Sequence, residues 1–217
     1  MADRLFPVSV ANRKQLELYY NKNIYEITDH LKVWHGKFIH PSSQCFVVGN
    51  GTSRKNFDLN ELRYCSKERY KRRSFIIGCN YIYKEFDVDL IIAQDTKVLF
   101  DLAKDKVKTP VCAPLLKYNW LLDNNKKIEN FYPIRFPTFE MSRWKTGELA
   151  LYMGCLLGFK VVRYIAFDGG TECVHREVDG VSNIDLKKTQ YRIQQLLDSF
   201  ENIKINKFED NLRKPSL

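Results

Sequence analysis

Cys45-Phe46-Val47-Val48-Gly49-Asn50-Gly51-Thr52-Ser53 is the stretch whose reading decides the fold. Four apolar residues in a row, without polar alternation, suit a strand buried on both faces. The small-residue turn that follows, then Arg54, Lys55 and Asp58, leads into a polar segment able to open a helix. In an open α/β sheet, ligands bind just beyond the carboxyl ends of the strands. Glycines there let the backbone come close to a ligand, and free N–H groups hold a phosphate or carboxylate. The same residues also make an ordinary tight turn, because Gly and Asn tolerate positive φ. Two later segments repeat the arrangement with different polar tips: Phe75-Ile76-Ile77-Gly78-Cys79-Asn80 and Leu90-Ile91-Ile92-Ala93-Gln94-Asp95. Three strands that end in Gly49–Ser53, Asn80 and Asp95 would converge on one ligand.

Working outward, Thr146-Gly147 opens a helix whose inner face carries Leu149, Ala150, Met153, Leu156 and Leu157. Gly158 ends it, and the strand Val161–Phe167 follows and stops at Asp168-Gly169-Gly170. A helix, a glycine and a strand in this order form an αβ step of a doubly wound sheet. The helix start at Thr146 and Gly147 carries partial positive charge and unpaired N–H groups, which suits an anion. Another strand is expected at Val111–Ala113, a helix after Thr96, an amphipathic helix at about 185–200 and a last short strand from Ile203. The fold expected is α/β: a single Rossmann-like, doubly wound domain over 1–217, mostly parallel, with helices on both faces.

Two segments stand apart. Residues 12–35 repeat apolar residues at helical spacing and read as an N-terminal helix. His30, His35 and His40 fall five apart, which spreads them around a helix, so they read as ordinary histidines. Residues 114–145 are aromatic and basic and are broken by Pro133 and Pro137. They suit either a lid or acceptor-binding insertion, or an irregular packed excursion.

The 217 residues are 44% apolar and 28% charged, which suits a globular domain with its own core. No apolar run approaches a membrane span, and the first twelve residues do not read as a secretory signal, so a cytoplasmic protein is expected. Six cysteines form no CxxC or CxxH pair, which argues for buried free thiols and against zinc. The net charge of +9 favours acidic partners such as nucleotides, nucleic acid or an anionic surface. Residues 54–73 concentrate it, with eight basic side chains against Asp58, Glu61 and Glu68, and with Tyr64 and Tyr70 between them. Such a run is either a solvated connection or a stacking surface for bases.

Read together, VVGNGTSRKNFDL (47–59), FIIGCNYIYKEFDVDLIIAQD (75–95) and KTGELALYMGCLLGFKVVRYIAFDGG (145–170) resemble the bacterial sialyltransferase-like glycosyltransferases. They also resemble the related hydroxymethylpterin pyrophosphokinase-like proteins, over residues 44–170. The resemblance implies a Rossmann-like domain with a nucleotide-linked donor at the strand ends. It implies that Asn50, Ser53 and Asn80 hold the donor, that Gly49 and Gly51 give it backbone access, and that Thr146-Gly147 lies beside it. Thr52 stands where the family has proline. The family's base is a histidine after the strand that ends here at Asp168-Gly169-Gly170, which implies His175. Asp168, Glu172 and Asp95 are alternative bases or metal ligands, and Tyr118, Tyr132 and Tyr152 are candidates for phosphate contact or for plain packing.

Three functions follow as expectations. The first is transfer of a sugar from a nucleotide sugar to a hydroxyl, with no cofactor. Arg54, Arg143 and Lys145 would neutralise the leaving phosphate, and the acceptor would be a polyanion, either hydroxylated-base DNA or an anionic glycan. The second is diphosphate transfer from ATP to a pterin-like alcohol, which requires Mg²⁺ on carboxylates such as Asp95 and Asp168. The third is a nucleotide- or nucleic-acid-binding module without catalysis.

Overall fold

Each continuous apolar run forms a strand of one parallel sheet in a computed structural model that describes residues 44–63, 74–134, 144–168, 185–200 and 202–208. The strands are β1 (Gln44–Val48), β2 (Phe75–Cys79), β3 (Leu90–Ile92), β4 (Val111–Pro114), β5 (Phe131–Ile134), β6 (Val161–Ile165) and β7 (Lys204–Lys207). Their spatial order is β5-β4-β3-β2-β1-β6-β7, and every neighbouring pair is parallel. The chain leaves β1 in one direction as far as β5, then returns to β1's other side. Phe46 therefore sits between Ile76 of β2 and Arg163 of β6. The order reverses between β1 and β6, and such a switch point opens a crevice above the strand ends.

Right-handed crossovers taken in opposite directions along a sheet put helices on opposite faces. One face is covered by α1 (Leu59–Leu62), α2 (Thr96–Lys104) and α3 (Leu115–Asp123), with Leu62, Leu99, Leu102 and Leu121 against Phe46, Val48, Ile76 and Ile91. The other is covered by α4 (Thr146–Leu156) and α5 (Leu186–Ser199), with Leu149, Met153 and Leu196 against Cys45, Val47 and Ile77. Alternate residues of β1 feed the two cores, which is why the run is apolar throughout.

Helix α4 is the innermost helix. Every residue from Glu148 to Cys155 is buried, not one inner stripe, because the helix lies between the sheet and α5. It stops where Gly158 takes φ +82, a left-handed conformation that glycine enters without a steric cost.

The segment read as a lid or insertion divides differently. Residues 115–123 form α3, and 131–134 form β5 at the sheet edge, so this half belongs to the main sheet. Pro133 is tolerated because an edge strand has one row of N–H groups without a partner strand. Residues 135–143 and the expected helix 12–35 lie outside the described residues. Cys45, Cys79, Cys112 and Cys155 are buried free thiols, while Cys65 and Cys173 fall outside that set.

Candidate functional site above the switch point

The turn after β1 packs on the residues after β6. Gly49 N–H donates to Ile165 O at 2.9 Å, and Gly51 N–H donates to Ala166 O at 3.0 Å. A Cβ at Gly49 would lie 2.5 Å from Ala166 O, and one at Gly51 would lie 2.4 Å from Asp168 Oδ2. These glycines thus serve a close approach of two chain segments, and both of their N–H groups are engaged there. Ser53 completes the contact: its N–H reaches Asp168 Oδ2 at 2.7 Å and its hydroxyl reaches Oδ1 at 2.5 Å. Ala166 takes φ +59, a costly conformation for a residue with a Cβ, and such strain gathers at functional sites.

Arg54 is turned into the domain. It is 2% exposed, and its Nη1 donates to Gly49 O at 2.9 Å and to Asn50 Oδ1 at 3.0 Å. Its Nη2 pairs with Glu85 Oε1 at 2.8 Å. The guanidinium fork braces the turn from inside the domain, so the expectation that Arg54 neutralises a leaving group is corrected. Lys145, exposed at the start of α4, keeps its side chain at the surface, and Arg143 is outside the described residues.

Asn80 follows β2 with φ +50 and is 7% exposed. Its Nδ2 points to Asp95 Oδ2 at 3.5 Å, the long limit of a hydrogen bond, while its buried Oδ1 has no partner. An unsatisfied buried acceptor costs about 1–3 kcal/mol, so it needs a reason. Asp95 is exposed and precedes α2, yet its carboxylate makes no capping bond to that helix.

Two contacts bring the start of α4 to the same place. Gln94 Nε2, beyond β3, donates to Trp144 O at 2.8 Å. A Cβ at Gly147 would lie 2.8 Å from the Phe167 ring, so only glycine lets the first turn abut the segment after β6. Glu148 fixes this turn from below. It accepts from Lys145 N–H at 2.7 Å and Thr189 Oγ1 at 2.9 Å, and it pairs with Arg192. The Arg192 guanidinium also lies 5.7 Å from the centre of the Trp144 ring. The positive end of the α4 dipole is thereby held beside the ends of β3 and β6.

No protein-family model and no curated protein matches the chain. In three dimensions it is similar to the crystal structure of alpha-2,3-sialyltransferase from Campylobacter jejuni in apo form. The two align with a TM-score of 0.51 at 12% identity, over 78% of this chain and 76% of that one. The fold is sialyltransferase-like.

That likeness is one of fold and does not reach the pyrophosphokinase side of the resemblance. Within the sialyltransferase-like fold, Gly49, Asn50, Gly51, Thr52, Ser53 and Asp168 gather at the switch point. Asn80 and Asp95 stand on the neighbouring strand ends, and Thr146-Gly147 faces Phe167. His175 and Glu172 lie outside the described residues. Tyr152 is 1% exposed and packs on Trp144 and Phe200, and burial pushes its phenol pKa up, which makes it a core residue. Tyr132 is half-buried against the same core. Among the described residues no cluster of three His, Cys, Asp or Glu side chains is placed to hold a metal, and no helix is long and apolar enough to cross a membrane. Ala166, Phe167, Gln94 and Glu148 shape the site and were not singled out from the sequence. Of these four, only Glu148, a Glu at the third position of a helix, carries a signal that a sequence could show.

Proposed function

We propose that the protein is a glycosyltransferase that takes a sugar from a nucleotide-sugar donor and passes it to a hydroxyl acceptor. The observation that carries the reading is Asn80: a buried amide in a left-handed conformation, with an unsatisfied oxygen, beside the switch point of a sialyltransferase-like fold. Asn80, Asp95 and the turn Gly49–Ser53 border the donor, and the α4 start at Thr146-Gly147 faces its phosphate. A sugar transferase of this kind gains most of its rate from positioning and from stabilising the leaving phosphate. The helix dipole and the exposed Lys145 supply that charge. The acceptor hydroxyl loses its proton to His175, with Asp168 as the alternative base. The net charge of +9 favours a polyanionic acceptor, either nucleic acid or an anionic glycan.

The test is a thermal-shift screen against CMP, UMP, UDP, GDP, dTDP, ATP and the sugar nucleotides, with EDTA or with Mg²⁺. Stabilisation by one nucleotide family in EDTA, with release of the free nucleotide from its sugar conjugate, supports the reading. Stabilisation by ATP alone, only with Mg²⁺, replaces it with diphosphate transfer. Stable binding with no release of nucleotide under any acceptor leaves a binding module.

A further inference from the structure

We infer that Asn80 and Asp95 form a pair of hydrogen-bond acceptors that receives the ribose hydroxyls of the nucleotide, so that the site selects ribonucleotides over deoxyribonucleotides. The inference rests on the donor site proposed above. Asn80 and Asp95 end adjacent parallel strands, β2 and β3, and their side chains meet at 3.5 Å. The Nδ2 group turned to Asp95 leaves Oδ1 as the amide's unused atom, and that atom is buried and without a partner. Among the described residues Asp95 makes no other side-chain hydrogen bond or ion pair, and it does not cap α2. Asp95 therefore offers lone pairs only, and the atom of the Asn80 amide that lacks a partner is its acceptor oxygen.

A phosphate has the wrong polarity for this pair. It is an acceptor itself and would face a carboxylate of its own sign. A hydroxyl has the right polarity, and a vicinal diol brings two O–H donors to two acceptors on neighbouring strands. A carboxylate beyond a strand of a nucleotide-binding sheet takes ribose hydroxyls for this physical reason. The exocyclic amine of a base carries the same donor chemistry, and the experiment separates the two. The positive end of α4 lies one residue away, through Gln94 to Trp144, so sugar and phosphate each find a complementary group.

The experiment is isothermal titration of CMP, UMP, AMP and GMP, each beside its 2′-deoxy and 3′-deoxy counterpart, into wild-type protein, Asp95→Ala and Asn80→Gly. Asp95 is exposed, and glycine accepts φ +50, so both variants keep the backbone. The expected result is at least a tenfold weaker affinity for a deoxy counterpart in wild type, and a gap that shrinks below threefold in either variant. Equal affinity for ribo and deoxy forms overturns the inference while the donor site stands. So does a gap that persists in both variants, or an affinity that follows only the amine of the base. Absence of binding by every mononucleotide overturns the donor site and this inference together.

Discussion

Ser53 and Asp168 face each other across the switch point, 115 positions apart in sequence, joined through both the N–H and the hydroxyl of Ser53. One carboxylate thus ties the turn after β1 to the end of β6. The pair sits at the surface, so its net worth is small, about 1 kcal/mol of coupling. Ser53→Ala, Asp168→Ala and the double variant, compared by urea unfolding, should show that coupling energy. Additive effects within about 0.3 kcal/mol would mean that the Ser53 hydroxyl and Asp168 do not interact in solution, since Ser53→Ala keeps the N–H bond. If Asp168 is only a brace, Asp168→Asn keeps an acceptor for Ser53 and most of the nucleotide affinity. If Asp168 is the base, the same variant keeps affinity and loses turnover.

Gly51→Ala should be far more damaging than its size suggests. The new methyl would meet Asp168 Oδ2 at 2.4 Å and Ala166 O at 2.6 Å; the second is backbone, and the first is held by Ser53, so neither retreats without loosening the turn. Overpacking of this kind costs about 1–3 kcal/mol. The turn should separate from β6, and the nucleotide-induced thermal shift should vanish with it. Gly158→Ala tests the specificity of the effect: a Cβ there meets no atom within 4 Å, so only the φ of +82 opposes it, and the thermal shift should survive.

The sheet could be read from the chain because its strands are buried on both faces. An uninterrupted apolar run such as Cys45–Val48 or Phe75–Cys79 has few other meanings, and the carboxyl-end residues follow directly from it. The edge was harder. Phe131, Tyr132 and Ile134 favour a strand, but Pro133 lies inside β5 and opposes one, and only the edge position permits it. Arg54 was misread for another reason. It stands in a basic run, and nothing in a sequence says that one guanidinium of several turns inward to a carbonyl and an amide oxygen. The turn glycines stand out in the sequence, but their neighbours are Ala166 and Asp168, contacts that only the β1–β6 pairing creates.

Arg54 should behave as a structural residue. Arg54→Met leaves Gly49 O and Asn50 Oδ1 without this donor and Glu85 without its cation, a loss of about 3 kcal/mol. Arg54→Lys should recover less than half of it, because one ammonium cannot span a carbonyl, an amide and a carboxylate in a fork geometry. Glu85→Gln should cost about 1 kcal/mol or less, since Glu85 is 36% exposed and the amide still accepts. Urea midpoints rank the three. A variant that keeps the wild-type midpoint yet loses turnover would return Arg54 to the reacting phosphate.

The buried thiols make stability fall in alkali. Burial pushes the Cys155 pKa up to about 12 and raises those of Cys45 and Cys112 as well, with Cys155 a further cause at Cys45. In the unfolded chain a thiol ionises near pH 8.5. Below that pH both states hold the proton and stability does not change. Above it the unfolded state releases protons that the folded state keeps, so each thiol should subtract about 1.4 kcal/mol per pH unit until the folded value is reached. Urea unfolding at pH 7.5, 9 and 10 should show a falling midpoint, and Cys155→Ala should lessen the slope although it opens a small cavity. A thiol-reactive dye at pH 8 should label none of Cys45, Cys79, Cys112 and Cys155 in the folded protein and all four in denaturant. Fast labelling of Cys155 in native buffer would mean that α4 opens away from the sheet, and that the site it frames is not rigid.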